Sequence, residues 1–141
     1  IAPTVIEVND RQDPLMSEEL FGTLLPMLRM GNLSDALHAI RRQGKPLALY
    51  LFGGSEAQQH EVLNTTSSGG VCLNDVVMQA GIPELPFGGV GASGMGSYHG
   101  HNGFKTFSHY KAVLKRGFRF DFKLRYPPYS VDLNVLRRIA G

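Results

Sequence analysis

Residues 85–100 read Leu85-Pro86-Phe87-Gly88-Gly89-Val90-Gly91-Ala92-Ser93-Gly94-Met95-Gly96-Ser97-Tyr98-His99-Gly100. Almost all are glycine or small, with Phe87, Tyr98 and His99 as the bulky exceptions. Glycine at this density excludes a regular helix or strand, because each glycine loses more backbone entropy on ordering than any other residue. A long loop inside a compact domain is usually functional or disordered. The apolar and aromatic residues threaded through this one favour order. An ordered loop is expected, one that needs positive φ and close backbone approach. Within it Gly89-Val90-Gly91-Ala92-Ser93-Gly94 matches G-x-G-x-x-G. The surroundings of a dinucleotide-phosphate fingerprint are missing, however. No hydrophobic strand precedes it, more glycine follows instead of a helix, and no acid lies about twenty residues on. Tight packing against a neighbouring site is the expected role.

Upstream of the loop the pattern is strand, helix, strand, helix, strand. Thr4–Val8 alternates β-branched residues and reads as a strand closed by Asn9-Asp10 and Asp13-Pro14. Leu24–Met30 is a second strand, with Pro26 arguing for an edge or a bulge. Leu33–Gln43 is an amphipathic helix with Leu33, Ala36, Leu37 and Ile40 on one face, capped by Asn32 or Ser34 and stopped at Gly44. Leu47–Phe52 is near-continuously apolar, which suits a strand covered on both faces. Ser55 with Gln58 forms a capping box for a helix to about Asn64, and Gly69–Asn74 is a further short strand. This order predicts a doubly wound α/β unit. Downstream, Thr106–Lys115 and Phe118–Phe122 alternate and read as strand without a nearby partner. Such an aromatic edge is expected to pair with another chain or domain. Tyr126-Pro127-Pro128 reads as a rigid linker, and Leu133–Ala140 as a short basic amphipathic helix.

The 141-residue chain has a formal charge of +2 and is 43% hydrophobic, which suits one soluble globular domain. No basic stripe interleaved with aromatics points to nucleic acid. No run of eighteen apolar residues predicts a membrane span. The start Ile1-Ala2-Pro3-Thr4 has neither the charged nor the apolar region of a signal peptide. It lies inside what reads as a strand and lacks Met, so a fragment or processed product is expected. A single cysteine, Cys72, fits a reducing compartment and a cytoplasmic location.

Three chemistries can be weighed on residue types. Cys72 as nucleophile would need His99, His101 or His109 as base. Its place between Val71 and Leu73 instead reads as a small buried hydrophobe. The histidines lack a second ligand cluster with zinc spacing, so no metal is expected. Glu18-Glu19 before Leu20-Phe21 offers a carboxylate able to accept two adjacent hydrogen bonds, as from a ribose diol, beside a flat apolar wall for a heteroaromatic ring, although composition alone favours a solvated acidic turn.

Several segments are near-literal matches to one family. Pro3-Thr4 with Met16-Ser17-Glu18-Glu19-Leu20-Phe21-Gly22, Lys45-Pro46-Leu47-Ala48-Leu49-Tyr50, Ser67–Asp75, Leu85–Gly100, Phe104–His109 and Arg125-Tyr126-Pro127-Pro128 together resemble the C-terminal third of the aldehyde dehydrogenase superfamily, in its class 3 or fatty aldehyde dehydrogenase branch. Thr23 stands where the family usually has proline, and Ala92 where it usually has asparagine.

The resemblance implies part of a doubly wound α/β catalytic domain over residues 1–105, an oligomerisation strand over 106–124 and a C-terminal tail over 125–141. It implies that Glu19 holds the nicotinamide ribose and that Phe21 lies beside the nicotinamide of NAD or NADP. Phe87 and Gly88 would line the inner substrate tunnel, Tyr98 and His99 its entrance, and Asn74 would fix the backbone around the site. The strand 106–124 would form a homodimer. The implied reaction oxidises a medium- or long-chain aliphatic aldehyde to a carboxylic acid: a cysteine thiolate adds to the carbonyl, hydride passes to the nicotinamide, and water hydrolyses the thioester. No residue of this chain matches the nucleophile or the general base, so these residues alone are expected to be inactive. The alternatives are a truncated, non-catalytic dimerisation module and, third, a hydrolase using Cys72. Arg137 and Arg138 are too few for firm membrane anchoring, which leaves peripheral contact of the tail unsupported.

Overall fold

Alternating β-branched residues in β1 (Thr4–Val8) pair in parallel with β2 (Leu24–Leu28), in a register that sets Val5 against Leu25 and Glu7 against Met27. The computed structural model describes residues 1–121, 123, 126–129 and 132–140. The ladder runs through Pro26 without a bulge, and β2 is an edge strand, the setting in which a missing N–H is tolerated. Val8 is buried, whereas Val5 and Leu25 on the opposite face are more than half exposed. Glu7 and Arg29 form an ion pair beside this sheet.

Helix α1 (Leu33–Arg41) begins where Asn32 Oδ1 accepts the Asp35 N–H at 2.9 Å, so Asn32 and not Ser34 is the cap. Arg11 reaches from the β1–β2 crossover to the end of this helix and donates to the Ala39 carbonyl at 2.7 Å. Strand β3 (Ala48–Leu51) follows, then α2 (Glu56–Thr65) and β4 (Gly70–Leu73), which lies parallel to β3. The Ser55–Gln58 capping box is complete in both directions. Leu37, Leu49 and Val62 form the core between the helices and this sheet, with Leu33, Ile40, Leu51 and Val71 packed against them. The predicted helical face of α1 is therefore the face that is buried.

The other face of β3–β4 departs from expectation. Tyr50 is 40% exposed and Phe52 63% exposed, so the strand is covered on one face only. In a doubly wound sheet a second layer would cover these residues. Among the described residues the 3-10 turn Met78–Ala80 reaches that face, where Gln79 Nε2 donates to the Tyr50 hydroxyl at 3.4 Å. Cys72, in register with Tyr50, is accordingly half-buried and not the buried hydrophobe predicted.

The second departure is α3 (Gly100–Thr106). Sequence reading ends the loop at Gly100 and starts a strand at Thr106, whereas Thr106 closes a helix. Gly100 and Gly103 lower its intrinsic propensity; Gly103 lies beside Tyr98, whose Cα an added Cβ would meet at an ordinary 3.8 Å. Residues 107–121 form no strand, since a ladder requires a partner and no described residue supplies one. Phe122, Leu124 and Arg125, which the predicted strand and tail include, lie outside the described residues.

The chain divides into one compact unit over Ile1–Ser108 and another over His109–Gly141. The second carries helix α4 (Leu133–Ala140) and an Arg116–Asp121 ion pair at 2.6 Å. Its Tyr110, Leu114, Phe118 and Phe120 are largely exposed. No helix among the described residues is long and apolar enough to cross a membrane.

Candidate functional site

The glycine loop is closed at its neck by backbone. The Phe87 N–H donates to the Tyr98 carbonyl at 3.0 Å and the Tyr98 N–H to the Phe87 carbonyl at 2.9 Å, an isolated antiparallel bridge. The two rings meet edge to face at 5.7 Å, a geometry in which the positive edge of one ring faces the negative face of the other. His99 stacks on Phe87 at 5.9 Å and meets Tyr98 edge-on at 4.4 Å. His99 has φ 84, and its Nδ1 lies 3.2 Å from the Leu85 carbonyl, which fixes the ring when that nitrogen carries the proton. Three of the predicted tunnel residues thus form one aromatic cluster.

Glycine is required inside the loop for two distinct reasons. A Cβ at Gly88 would fall 2.2 Å from the Gly96 carbonyl oxygen, and one at Gly89 2.1 Å from that of Ser93. At Gly91 and Gly96 it is instead the positive φ, 62 and 71, that an L side chain resists. The loop also lies against the sheet, for a Cβ on Gly69 would meet the Gly88 oxygen at 2.2 Å and the Leu47 oxygen at 2.6 Å. Ser93 locks the 3-10 turn by accepting the Val90 N–H at 2.9 Å and donating to the Val90 carbonyl at 3.1 Å. These hydrogen bonds close the G-x-G-x-x-G segment on itself.

Beside the neck lies a cavity of about 350 Å³ lined by Phe87, Gly88, Met95, Gly96, Ser97, Tyr98, Thr106 and Phe107. Met95, Thr106 and Phe107 were not singled out by sequence reasoning. Methionine and phenylalanine carry no positional signal outside a regular element, and Thr106 reaches the site only because α3 folds back onto the loop.

Asn74 acts at the other end of β3 and β4. It adopts a left-handed φ of 59, its N–H donates to the Leu51 carbonyl at 2.7 Å, and its Oδ1 accepts the Gly53 N–H at 2.7 Å. It fixes the turn leaving β3 to the turn leaving β4.

Glu19 and Phe21 precede β2. Phe21 is held at φ 41 and is 92% exposed. A bulky side chain in the left-handed region costs roughly 1–2 kcal/mol. The Glu19 carboxylate is exposed and makes no hydrogen bond or ion pair with any described residue. No contact among the described residues joins this pair to the Phe87 cluster. Cys72 makes no hydrogen bond to His99, His101 or His109 among the described residues, so the nucleophile–base pairing a hydrolase needs is not formed. No His, Cys, Asp and Glu grouping among the described residues could hold a metal ion.

Two parallel strand pairs, β3 and β4 joined through α2, with a closed glycine loop carrying an aromatic neck, define an α/β fold. The sequence profile described as "Aldehyde dehydrogenase family" matches residues 1–113, and the chain belongs to that family, in its class 3 branch. It is 48% identical over 139 residues to aldehyde dehydrogenase family 3 member B1 of Bos taurus, covering 96% of this chain and 30% of the relative. It is 46% identical over 130 residues to "Aldehyde dehydrogenase, dimeric NADP-preferring" of Mus musculus, covering 91% of this chain and 29% of that protein. Among solved structures, "Substrate bound state of Staphylococcus Aureus AldH" superposes with a TM-score of 0.76 at 38% identity, over 100% of this chain and 31% of that one. The chain spans about 30% of the length of the curated relatives it matches.

Proposed function

We propose that these residues supply the nicotinamide-ribose contact, part of the aldehyde passage and the dimer arm of an NAD- or NADP-dependent aldehyde dehydrogenase. The observation that carries this reading is the Glu19–Phe21 pair: an unpartnered carboxylate two residues from an aromatic ring that a strained backbone holds out in solvent. An exposed phenylalanine forfeits about 1.5–3 kcal/mol of burial, and a flat ligand laid against it would recover part of that. The residues fit a nicotinamide riboside. Glu19 accepts hydrogen bonds from two vicinal hydroxyls, and Phe21 excludes water from one side of the ring. The nicotinamide, when bound, accepts the hydride that leaves the substrate carbon. Phe87, Tyr98 and His99 wall the aldehyde's path, with Gly88 bringing backbone close beneath it. The mainly apolar cavity lining of Phe87, Met95, Tyr98 and Phe107 suits a medium- or long-chain aliphatic aldehyde. Asn74 keeps the strand ends in register.

Homodimerisation through residues 106–124 is supported by the exposed Tyr110, Val113, Leu114, Phe118 and Phe120, which a ladder with a second chain would cover. Helix α3 ends at Thr106, so the proposed arm is read as following it. A cytoplasmic location fits the one free thiol. The test is dinucleotide binding by calorimetry on the protein expressed from its complete reading frame. Glu19→Gln and Phe21→Ala are each expected to weaken binding about tenfold or more, the worth of a charged hydrogen bond or a stacked ring. Melting temperature should hold, because both side chains are exposed. Unchanged binding of both NAD and NADP would refute the reading. The 141 residues alone are expected to show no turnover of aldehyde.

A further inference from the structure

We propose that Thr106 is a positioning residue that clasps the aromatic neck of the glycine loop. This rests on the reading above for what the neck does, but not for the clasp itself. The Thr106 hydroxyl lies 2.6 Å from the Ser97 carbonyl and 2.9 Å from the Asn102 carbonyl. A hydroxyl carries one proton, and the shorter contact is the one to Ser97. The bond therefore links the last turn of α3 to the residue immediately before Tyr98, on the limb whose backbone pairs with Phe87.

Two further contacts point the same way. A Cβ on Gly96 would meet Thr106 Cγ2 at 3.6 Å, so the methyl packs under the same limb while the hydroxyl bonds to it. Gly103, one turn earlier, faces Tyr98 at 3.8 Å. Helix α3 thus presses on the Gly96–Tyr98 limb at two points. The opposite limb has its own support, since Gly88 sits against Gly69 at the start of β4. One limb is held by the sheet and the other by Thr106, and the Phe87–Tyr98 bridge spans them. Thr106 also borders the cavity, and Phe107, the next residue, begins the arm proposed to dimerise.

Amide exchange reads the clasp directly, because the Phe87 and Tyr98 N–H groups exchange only when their bridge opens. The protein from the complete reading frame would be compared with Thr106→Val, which keeps the shape and removes the hydroxyl, and Thr106→Ser, which restores the hydroxyl. Thr106→Val should speed exchange at Phe87 and Tyr98 roughly five- to tenfold, the effect of one net hydrogen bond, and leave Leu49 and Val71 unchanged. Thr106→Ser should restore most of the protection. Gly103→Ala has room for its methyl and gains helix propensity, so it should slow exchange at the same two amides, and it serves if Thr106→Val fails to fold. In aldehyde oxidation, Thr106→Val should raise KM for the aldehyde with little change in KM for the dinucleotide. Equal exchange in wild type and Thr106→Val, equal acceleration at Leu49, or faster exchange in Gly103→Ala would overturn the clasp. Selective acceleration in a protein that oxidises no aldehyde would sustain the clasp and refute the functional reading instead.

Discussion

Replacing Gly88 with alanine tests the packing of the loop most directly. The new Cβ would stand 2.2 Å from the Gly96 carbonyl oxygen and 2.9 Å from Ser97 Cα, where real Cβ contacts essentially never fall below 3.0 Å. Both obstructions are backbone, so one limb must move by about 0.8 Å. The neck is held by backbone bonds of 3.0 and 2.9 Å between the residues flanking those limbs, and a displacement of that size breaks at least one of them. Overpacking costs about 1–3 kcal/mol, and each lost hydrogen bond adds about 1 kcal/mol. The expected loss is about 2–5 kcal/mol. Gly53→Ala is the comparator, because that glycine has φ +73 and nothing within 4 Å, so only the left-handed backbone resists. Its cost should be roughly 1–2 kcal/mol. Gly117→Ala, with open space and no positive φ, should be near neutral. Urea unfolding followed by circular dichroism ranks the three. If Gly88→Ala is no worse than Gly53→Ala, the loop is not close-packed as described.

Two other substitutions probe the sheet. Leu37→Ala removes the most buried side chain of the core, at 1% exposure, and should cost about 2–5 kcal/mol in the same assay, while Leu25→Ala at 62% exposure should cost under about 1 kcal/mol. If the proposed aldehyde oxidation holds, Cys72→Ala should leave it within about twofold of wild type, because among the described residues no histidine is bonded to that thiol; loss of activity with an unchanged melting temperature would favour Cys72 as a nucleophile.

Much of the fold is legible along the chain because it is made by local chemistry. Asn32 and Ser55 cap their helices through side chains three residues from their partners. The strands among the described residues appear where β-branched and apolar runs give way to glycine or asparagine. The period of Leu33, Ala36, Leu37 and Ile40 gives the buried face of α1 without any knowledge of what covers it. The density of glycine between Leu85 and Gly100 announces close backbone approach, and the motif matches imply, as a proposal, roles for Glu19, Phe21 and Phe87.

The rest depends on what is distant in sequence. Helix α3 carries two glycines, which lower its propensity, and it is tied to the loop by the Thr106 hydroxyl on the Ser97 carbonyl, a contact distant in sequence. Whether Tyr50 and Cys72 are covered depends on a second layer that their own alternation cannot report. Strand character in 107–121 is a property of a pair, and a ladder has no existence in one strand. The neck of the loop is the clearest case. Composition requires flexible backbone there, but only folding brings Phe87 opposite Tyr98, sets Gly88 against Gly69 and turns the Thr106 hydroxyl onto Ser97. Local hydrogen bonds and hydrophobic period are written in neighbouring residues, whereas which limbs meet is fixed by the sheet and helix that hold them.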